Sequence, residues 1–126
     1  MFENLSVTRM ATALADHAGA RLGLIARNVA GADTPGYKAM DLAGFAATYH
    51  DSDGGMRATR PGHLTSLSAM SEPVAQPSGG EASPDGNTVS LAREMVKSVD
   101  VRQQHNMALA VYRNTADIIR ASLGRR

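Results

Sequence analysis

A helical hydrophobic period occupies both ends of this 126-residue chain and is missing between them, and no other feature restricts the fold as much. From about residue 7 to residue 30, Val7, Ala11, Leu14, Ala18, Leu22, Ile25 and Val29 recur at steps of three and four, which places them on one helix face. A second row, Ala11, Ala15, Gly19 and Gly23, advances in fours. Small residues in such a row let a neighbouring helix approach closely, although each glycine costs a helix about 1 kcal/mol. From Asn87 the period returns through Ala92, Met95, Val99, Arg102, Asn106, Leu109, Ala116, Ile119 and Leu123. Asn87 is a favourable N-cap, and Arg120, Arg125 and Arg126 suit the negative end of the helix dipole. The polar Arg102 and Asn106 fit either register-setting positions on a packed seam or solvated turns. On these lengths the second helix is expected to be the longer one.

The first helix must end near Asn28-Val29-Ala30-Gly31-Ala32-Asp33-Thr34-Pro35-Gly36-Tyr37-Lys38. Gly31 suits the left-handed conformation that commonly closes a helix. Pro35 forbids continuation and biases Thr34 towards extended geometry. Pro35-Gly36 fits the central positions of a type II turn, and the side chains of Asp33 and Thr34 can bond nearby backbone amides. Beyond this exit, Met40, Leu42, Phe45, Ala46 and Tyr49 fit a short strand or one helical turn. Dense turn formers follow (Asp51-Ser52-Asp53-Gly54-Gly55, Pro61-Gly62, Pro73, Pro77-Ser78-Gly79-Gly80 and Pro84-Asp85-Gly86), leaving room for short strands near 57–59 and 63–67. Residues 71–86 have the composition of a linker. The expected fold is mainly α: two long, coiled-coil-like helices joined by an irregular, partly extended segment with short strands. The helices should pair antiparallel because that segment connects them within one chain. The divisions fall at 1–31, 32–86 and 87–126.

The exit stretch resembles the N-terminal signature of the axial proteins of the bacterial flagellum, the rod, hook and hook-associated proteins. Asn28, Ala30, Ala32, Asp33, Thr34, Pro35, Gly36, Tyr37 and Lys38 match it, and Gly31 stands where that family usually has asparagine. Asp33, with Lys38-Ala39-Met40-Asp41 after it, is most similar to the proximal rod members. Gly86-Asn87-Thr88-Val89-Ser90-Leu91-Ala92-Arg93-Glu94-Met95 also resembles the entry to their second helix, with Ser90 and Ala92 replacing the usual acidic residues. The resemblance implies a structural subunit of the proximal rod of the flagellar basal body, exported by the flagellar type III apparatus without a cleaved signal peptide. It further implies a place in the rod within the periplasmic space, with terminal helices lining the inner layer and transmitting torque.

The implied partners are further copies of the chain, other rod proteins, the rod junction protein, and the membrane ring and export gate at the base. The implied assembly residues are Asn28, Ala30, Asp33, Thr34, Pro35, Gly36, Tyr37 and Lys38 in the turn, with Gly86, Asn87 and Thr88 at the second helix. Phe45 and Tyr49, four apart, resemble the short gate-recognition element of early flagellar export substrates. A reading from another class is a cytosolic helical adaptor or export chaperone that binds a partner helix.

Composition narrows the remaining classes. Two phenylalanines, three tyrosines and no tryptophan leave few large side chains for a compact core, which favours long helices with small contact residues. The net charge of +1 argues against strong attraction to nucleic acid or membrane. Residues 32–87 carry seven acidic side chains against three basic ones, and residues 88–126 seven basic against three acidic. The basic end has no aromatic platform for nucleic acid. The absence of cysteine excludes a disulfide framework. No run is long and apolar enough for a membrane span, and the start lacks the basic and apolar regions of a cleaved secretory signal.

His17, His50, His63 and His105 stand at no metal-ligand spacing. A calcium loop at Asp51, Asp53 and Gly55 fails because Met56 and Gly62 occupy the turn-glycine and glutamate positions. The seven methionines are scattered at helix spacing and suit core filling. No metal, other cofactor or enzymatic activity is expected.

Overall fold

The computed structural model describes residues 2–52 and 74–124. In chain order these form α1 (Phe2–Ala30), β1 (Met40–Leu42), α2 (Phe45–Ser52), β2 (Ala75–Pro77) and α3 (Leu91–Ser122). The two long helices pack against each other. Their contacts run in opposite directions: Asn28, near the end of α1, meets Glu94, near the start of α3, while Ala18 and Ile25 pack with Val101. The mainly α, antiparallel hairpin expected from the sequence is therefore the fold. With 29 and 32 residues the helices span about 43 and 48 Å, so the second is the longer, as expected, though by only three residues. The first begins at Phe2, five residues before Val7.

The seam between the helices is spaced in sevens. Ala11, Ala18 and Ile25 are buried on α1, and Glu94, Val101, Ala108 and Thr115 on α3. On α1 the expected face holds through Ile25, but Val29 turns outward. On α3 the expected seam is offset by one residue from the real one, so Met95 and Val99 are 57% and 63% exposed, and Arg102 and Asn106 are also exposed. Apolar periodicity misleads here because the buried row contains polar groups with partners. Glu94 is hydrogen-bonded by Asn28 and Lys97, and Thr115 Oγ1 donates to the Val111 carbonyl at 2.8 Å. Any register-setting role on this seam therefore does not belong to Arg102 or Asn106. Gly19 and Gly23 also face away from α3, with nothing within 4 Å of where a Cβ would stand.

The exit from α1 keeps a right-handed course. Gly31 N donates to Arg27 O at 2.9 Å, Ala32 N to Val29 O at 3.2 Å and Thr34 N to Gly31 O at 3.1 Å. Gly31 does not adopt the expected left-handed conformation; Gly36, Gly86 and Gly124 do, at φ 73°, 82° and 77°. What Gly31 provides here is space: with Tyr37 in its present position, a Cβ would stand 2.7 Å from the ring. At Pro35-Gly36 the expected type II turn geometry is present, with Gly36 at positive φ and Tyr37 N bonded to Thr34 O at 3.2 Å.

Residues 40–52 realise both alternatives in succession, strand β1 and then helix α2. β1 pairs antiparallel with β2 in the register Met40↔Pro77, Asp41↔Gln76, Leu42↔Ala75. The linker assigned to 71–86 is corrected for residues 74–86, which are tied down along their length. Ser78 N donates to Ala39 O at 2.8 Å, Ser83 N to Asn87 O at 2.8 Å and Gly86 N to Ser83 O at 2.8 Å. Glycine and proline here shape a path along the surface of the hairpin end. The strands expected at 57–59 and 63–67, together with His63 and most of the acidic cluster considered for calcium, lie outside the described residues.

Candidate functional site

The two stretches singled out in the sequence meet in space. At the closed end of the hairpin, the α1 exit and β1 are laced to residues 83–97 by side-chain and backbone hydrogen bonds, forming a clasp.

Asn28 lies at its centre, fully buried. Its Nδ2 donates to Met40 O at 2.8 Å and to Glu94 Oε2 at 2.9 Å, while Oδ1 accepts from Met40 N at 3.0 Å and, at 3.5 Å, from the Tyr37 hydroxyl. One amide thus holds the end of α1, the start of β1 and the first turn of α3. Helical spacing explains its position: Asn28 follows Ile25 by three residues on the buried face.

Asn87 performs the complementary task. It was expected to cap the second helix, but α3 begins at Leu91 with Ser90 at the cap position and no capping side-chain bond. The Asn87 amide nitrogen instead donates to Gly31 O at 3.0 Å, Ala32 O at 2.7 Å and Thr34 O at 2.9 Å, sharing its two hydrogens among three carbonyls. Its Oδ1 accepts from Val89 N at 2.7 Å. Asn87 therefore satisfies carbonyls around the end of α1 from more than fifty residues away, where a left-handed glycine would ordinarily help. Thr88 completes the lacing: its N donates to Tyr37 O at 3.0 Å and its Oγ1 accepts from Ala39 N at 2.9 Å.

The remaining signature residues divide by position. Gly36 N donates to Asp85 O at 3.0 Å, and Lys38 Nζ donates to Gly86 O at 3.0 Å. Gly86 passes so close to Gly36 that a Cβ would contact its Cα at 3.6 Å. Asp33, Thr34 and Pro35 form the exposed surface of the turn, and Ala30 is exposed on the last turn of α1. Thr34 takes part through its backbone; neither its side chain nor that of Asp33 bonds a nearby amide among the described residues, contrary to expectation. Phe45 and Tyr49 lie apart from the clasp. Their rings are 5.2 Å apart, and Phe45 meets His17 edge-on at 5.7 Å. His17 Nε2 lies 2.9 Å from Ala43 O, which anchors the start of α2 to α1.

Four charged groups, undetected as a set in the sequence, brace one side of the clasp. Arg21 grips Asp41 with two bonds of 2.7 and 2.9 Å. Lys97 Nζ lies 3.2 Å from Asp41 Oδ2, 3.1 Å from Glu94 Oε1 and 3.1 Å from Ser78 Oγ. Burial alone would raise the Asp41 carboxyl, but hydrogen bonds from Arg21, Lys97 and the Leu42 amide outweigh it and hold the group at about 2. Arg21 is raised, chiefly by its bond to Asp41. Burial pulls Lys97 down, but its bonds to Glu94 and Asp41 prevail and raise it. Two cations and two anions thus neutralise one another across α1, β1 and α3. Helical spacing signals only the local pair Glu94–Lys97; the partners of Arg21 and Asp41 depend on the hairpin.

The clasp offers carbonyls, amides and paired charges but no catalytic constellation, and no cluster of metal-binding side chains occurs among the described residues. No helix among those residues is long and apolar enough to cross a membrane. The arrangement holds two helices and their connecting strand in one geometry.

No protein-family model matches the chain. Among curated proteins, it is 29% identical over 111 residues to the flagellar basal body rod protein FlgB of Agrobacterium fabrum (strain C58 / ATCC 33970). The match covers 82% of this chain and 81% of that protein. The chain is similar to a flagellar rod protein. The same class was implied by the two signature-like stretches, which the fold brings together as the two halves of the clasp.

Proposed function

We propose that this chain is a structural subunit of the proximal rod of the bacterial flagellar basal body. The carrying observation is its similarity to a rod protein over most of both chains. The surface of the hairpin supports the same reading. Leu91, Met95, Val96, Val99, Met107 and Ile118 are each at least 45% exposed along α3, an apolar display far beyond the scattered residues of a self-sufficient helix. In a rod, neighbouring subunits cover such surface. On this reading the clasp keeps the paired helices aligned as they carry torque. The subunit joins copies of itself, other rod proteins, and the junction, ring and export gate at the rod base. The similarity to a rod protein disfavours the alternative of a cytosolic adaptor or export chaperone.

Export by the flagellar type III apparatus, as an unfolded chain, belongs to the same proposal. Phe45 and Tyr49 serve as the gate-recognition pair in this scheme. Because Phe45 packs against His17 once the chain folds, the pair is more fully available to a receptor before folding. The test is deletion of the encoding gene, followed by complementation with the parent chain or with Phe45→Ala. Deletion should remove the rod and motility, and the parent chain should restore both and co-purify with basal bodies. Phe45→Ala should accumulate in the cytoplasm unsecreted. Normal rods after deletion would refute the rod assignment, whereas normal secretion of Phe45→Ala would refute only the docking role.

A further inference from the structure

The apolar seam of the hairpin does not define a unique alignment by itself. Its buried members, Ala11, Ala18 and Ile25 on one helix and Val101, Ala108 and Thr115 on the other, repeat every seven residues and are mostly small. Sliding α1 along α3 by one heptad, about 10.5 Å, would set similar small side chains together again. Apolar contact therefore discriminates weakly between registers.

Two residues of the same seam discriminate strongly. Asn28 and Glu94 are 0% and 2% exposed and are joined at 2.9 Å. In this alignment the Asn28 amide also finds both backbone groups of Met40, and the second Glu94 oxygen finds Lys97. A one-heptad slip would carry Asn28 and Glu94 about 10.5 Å apart and leave each buried against apolar or mismatched neighbours. Unpaired polar and charged groups in such places are strongly disfavoured.

We infer that the Asn28–Glu94 pair is the register determinant of the helix hairpin. The pair selects one axial alignment of α1 and α3. It thereby fixes where the outward Leu91, Met95 and Val99 stand relative to the outer face of α1, so that every copy presents the same composite surface. The consequence for assembly rests on the rod reading; the choice of register does not.

The chain contains no cysteine, so introduced pairs report alignment in the concentrated full-length protein. Ala18→Cys with Val101→Cys reports the observed register. Ile25→Cys with Ala108→Cys and Ala11→Cys with Val101→Cys report one-heptad slips in the two directions, each beyond disulfide reach in the observed alignment. In the otherwise unaltered chain only the first pair should oxidise. Combining Asn28→Leu with Glu94→Leu should raise a slipped cross-link by about tenfold or more while helix content is retained, as expected when a charge-assisted hydrogen bond no longer chooses. Glu94→Gln, whose side-chain oxygen still accepts from Asn28, should keep the single register.

Slipped cross-links that stay at background in the doubly apolar variant would overturn the inference. Loss of helix content in that variant would overturn it as well, because the pair would then be required for folding rather than for alignment. A single-register chain that fails to enter basal bodies would count against the rod assignment alone.

Discussion

The two ends of the hairpin are held by different physics. At the closed end, buried amides and four paired charges join α1, β1 and α3, with Asn28 and Asn87 each bridging segments far apart in sequence. Along the rest of its length the hairpin relies on small side chains such as Ala11, Ala18 and Ala108, while larger apolar residues on α3 point outward. The directional clasp specifies geometry, and the plain seam supplies adhesion with little specificity. On the rod reading proposed above, a neighbour covers the outward faces, so that the chain fixes its own shape at one end and completes its hydrophobic burial in the assembly.

The comparison is broken most severely at Asn87. Asn87→Ala leaves the carbonyls of Gly31, Ala32 and Thr34 without their side-chain donor, a loss of about 2–3 kcal/mol at the clasp. Hydrogen exchange at the Tyr37, Ala39 and Thr88 amides should accelerate by about a hundredfold, while amides around Ala18 change little. Equal acceleration at both places would mean that the clasp and seam are one unit.

Gly36→Val should have the next largest effect. Gly36 sits at φ 73°, which a β-branched residue adopts only with strain of about 1–3 kcal/mol. The turn should loosen against Asp85 and rod assembly should fail with export intact, as scored by motility and by secreted protein. Normal swimming in this variant would show that the turn tolerates another geometry.

Acid should produce a smaller, graded loss confined to the clasp. The folded-state pKa of Asp41 is depressed from 3.8 to about 2. Its stabilisation is therefore fully present above the unfolded value and is lost as pH falls through the folded one. Clasp amide protection should be flat above about pH 5 and decline between about pH 4 and 2, with Asp41→Asn removing that limb. An unchanged acid limb in Asp41→Asn would assign the loss to another carboxylate.

Much of this fold was legible because it is periodic. The α1 face from Ala11 to Ile25, the antiparallel pairing and the Pro35-Gly36 turn all follow from local chemistry. The α3 face was not legible, since Glu94 and Thr115 are buried through partners that lie elsewhere in the chain or on the helix backbone, and apolar spacing follows the outward Met95 and Val99 instead. Asn87 misled for a related reason. Its side chain suits a helix cap locally, yet three carbonyls in the turn that follows the other helix are the partners it meets once the hairpin closes. Gly31 is expected to close the helix in the left-handed conformation, but it stays right-handed and instead leaves room for the Tyr37 ring. Local propensity located the clasp; only the tertiary fold reveals which groups it joins.

The most direct test of the central claim, that the chain finishes its own clasp and leaves α3 for neighbours, is a paired measurement on Met95→Ser with Val99→Ser. Both positions are more than half exposed, so helix content and clasp protection in the isolated chain should match the parent, within about 0.5 kcal/mol. Incorporation into basal bodies, measured in cells lacking the parent gene, should be lost. Normal incorporation and swimming with both serines in place would contradict the account.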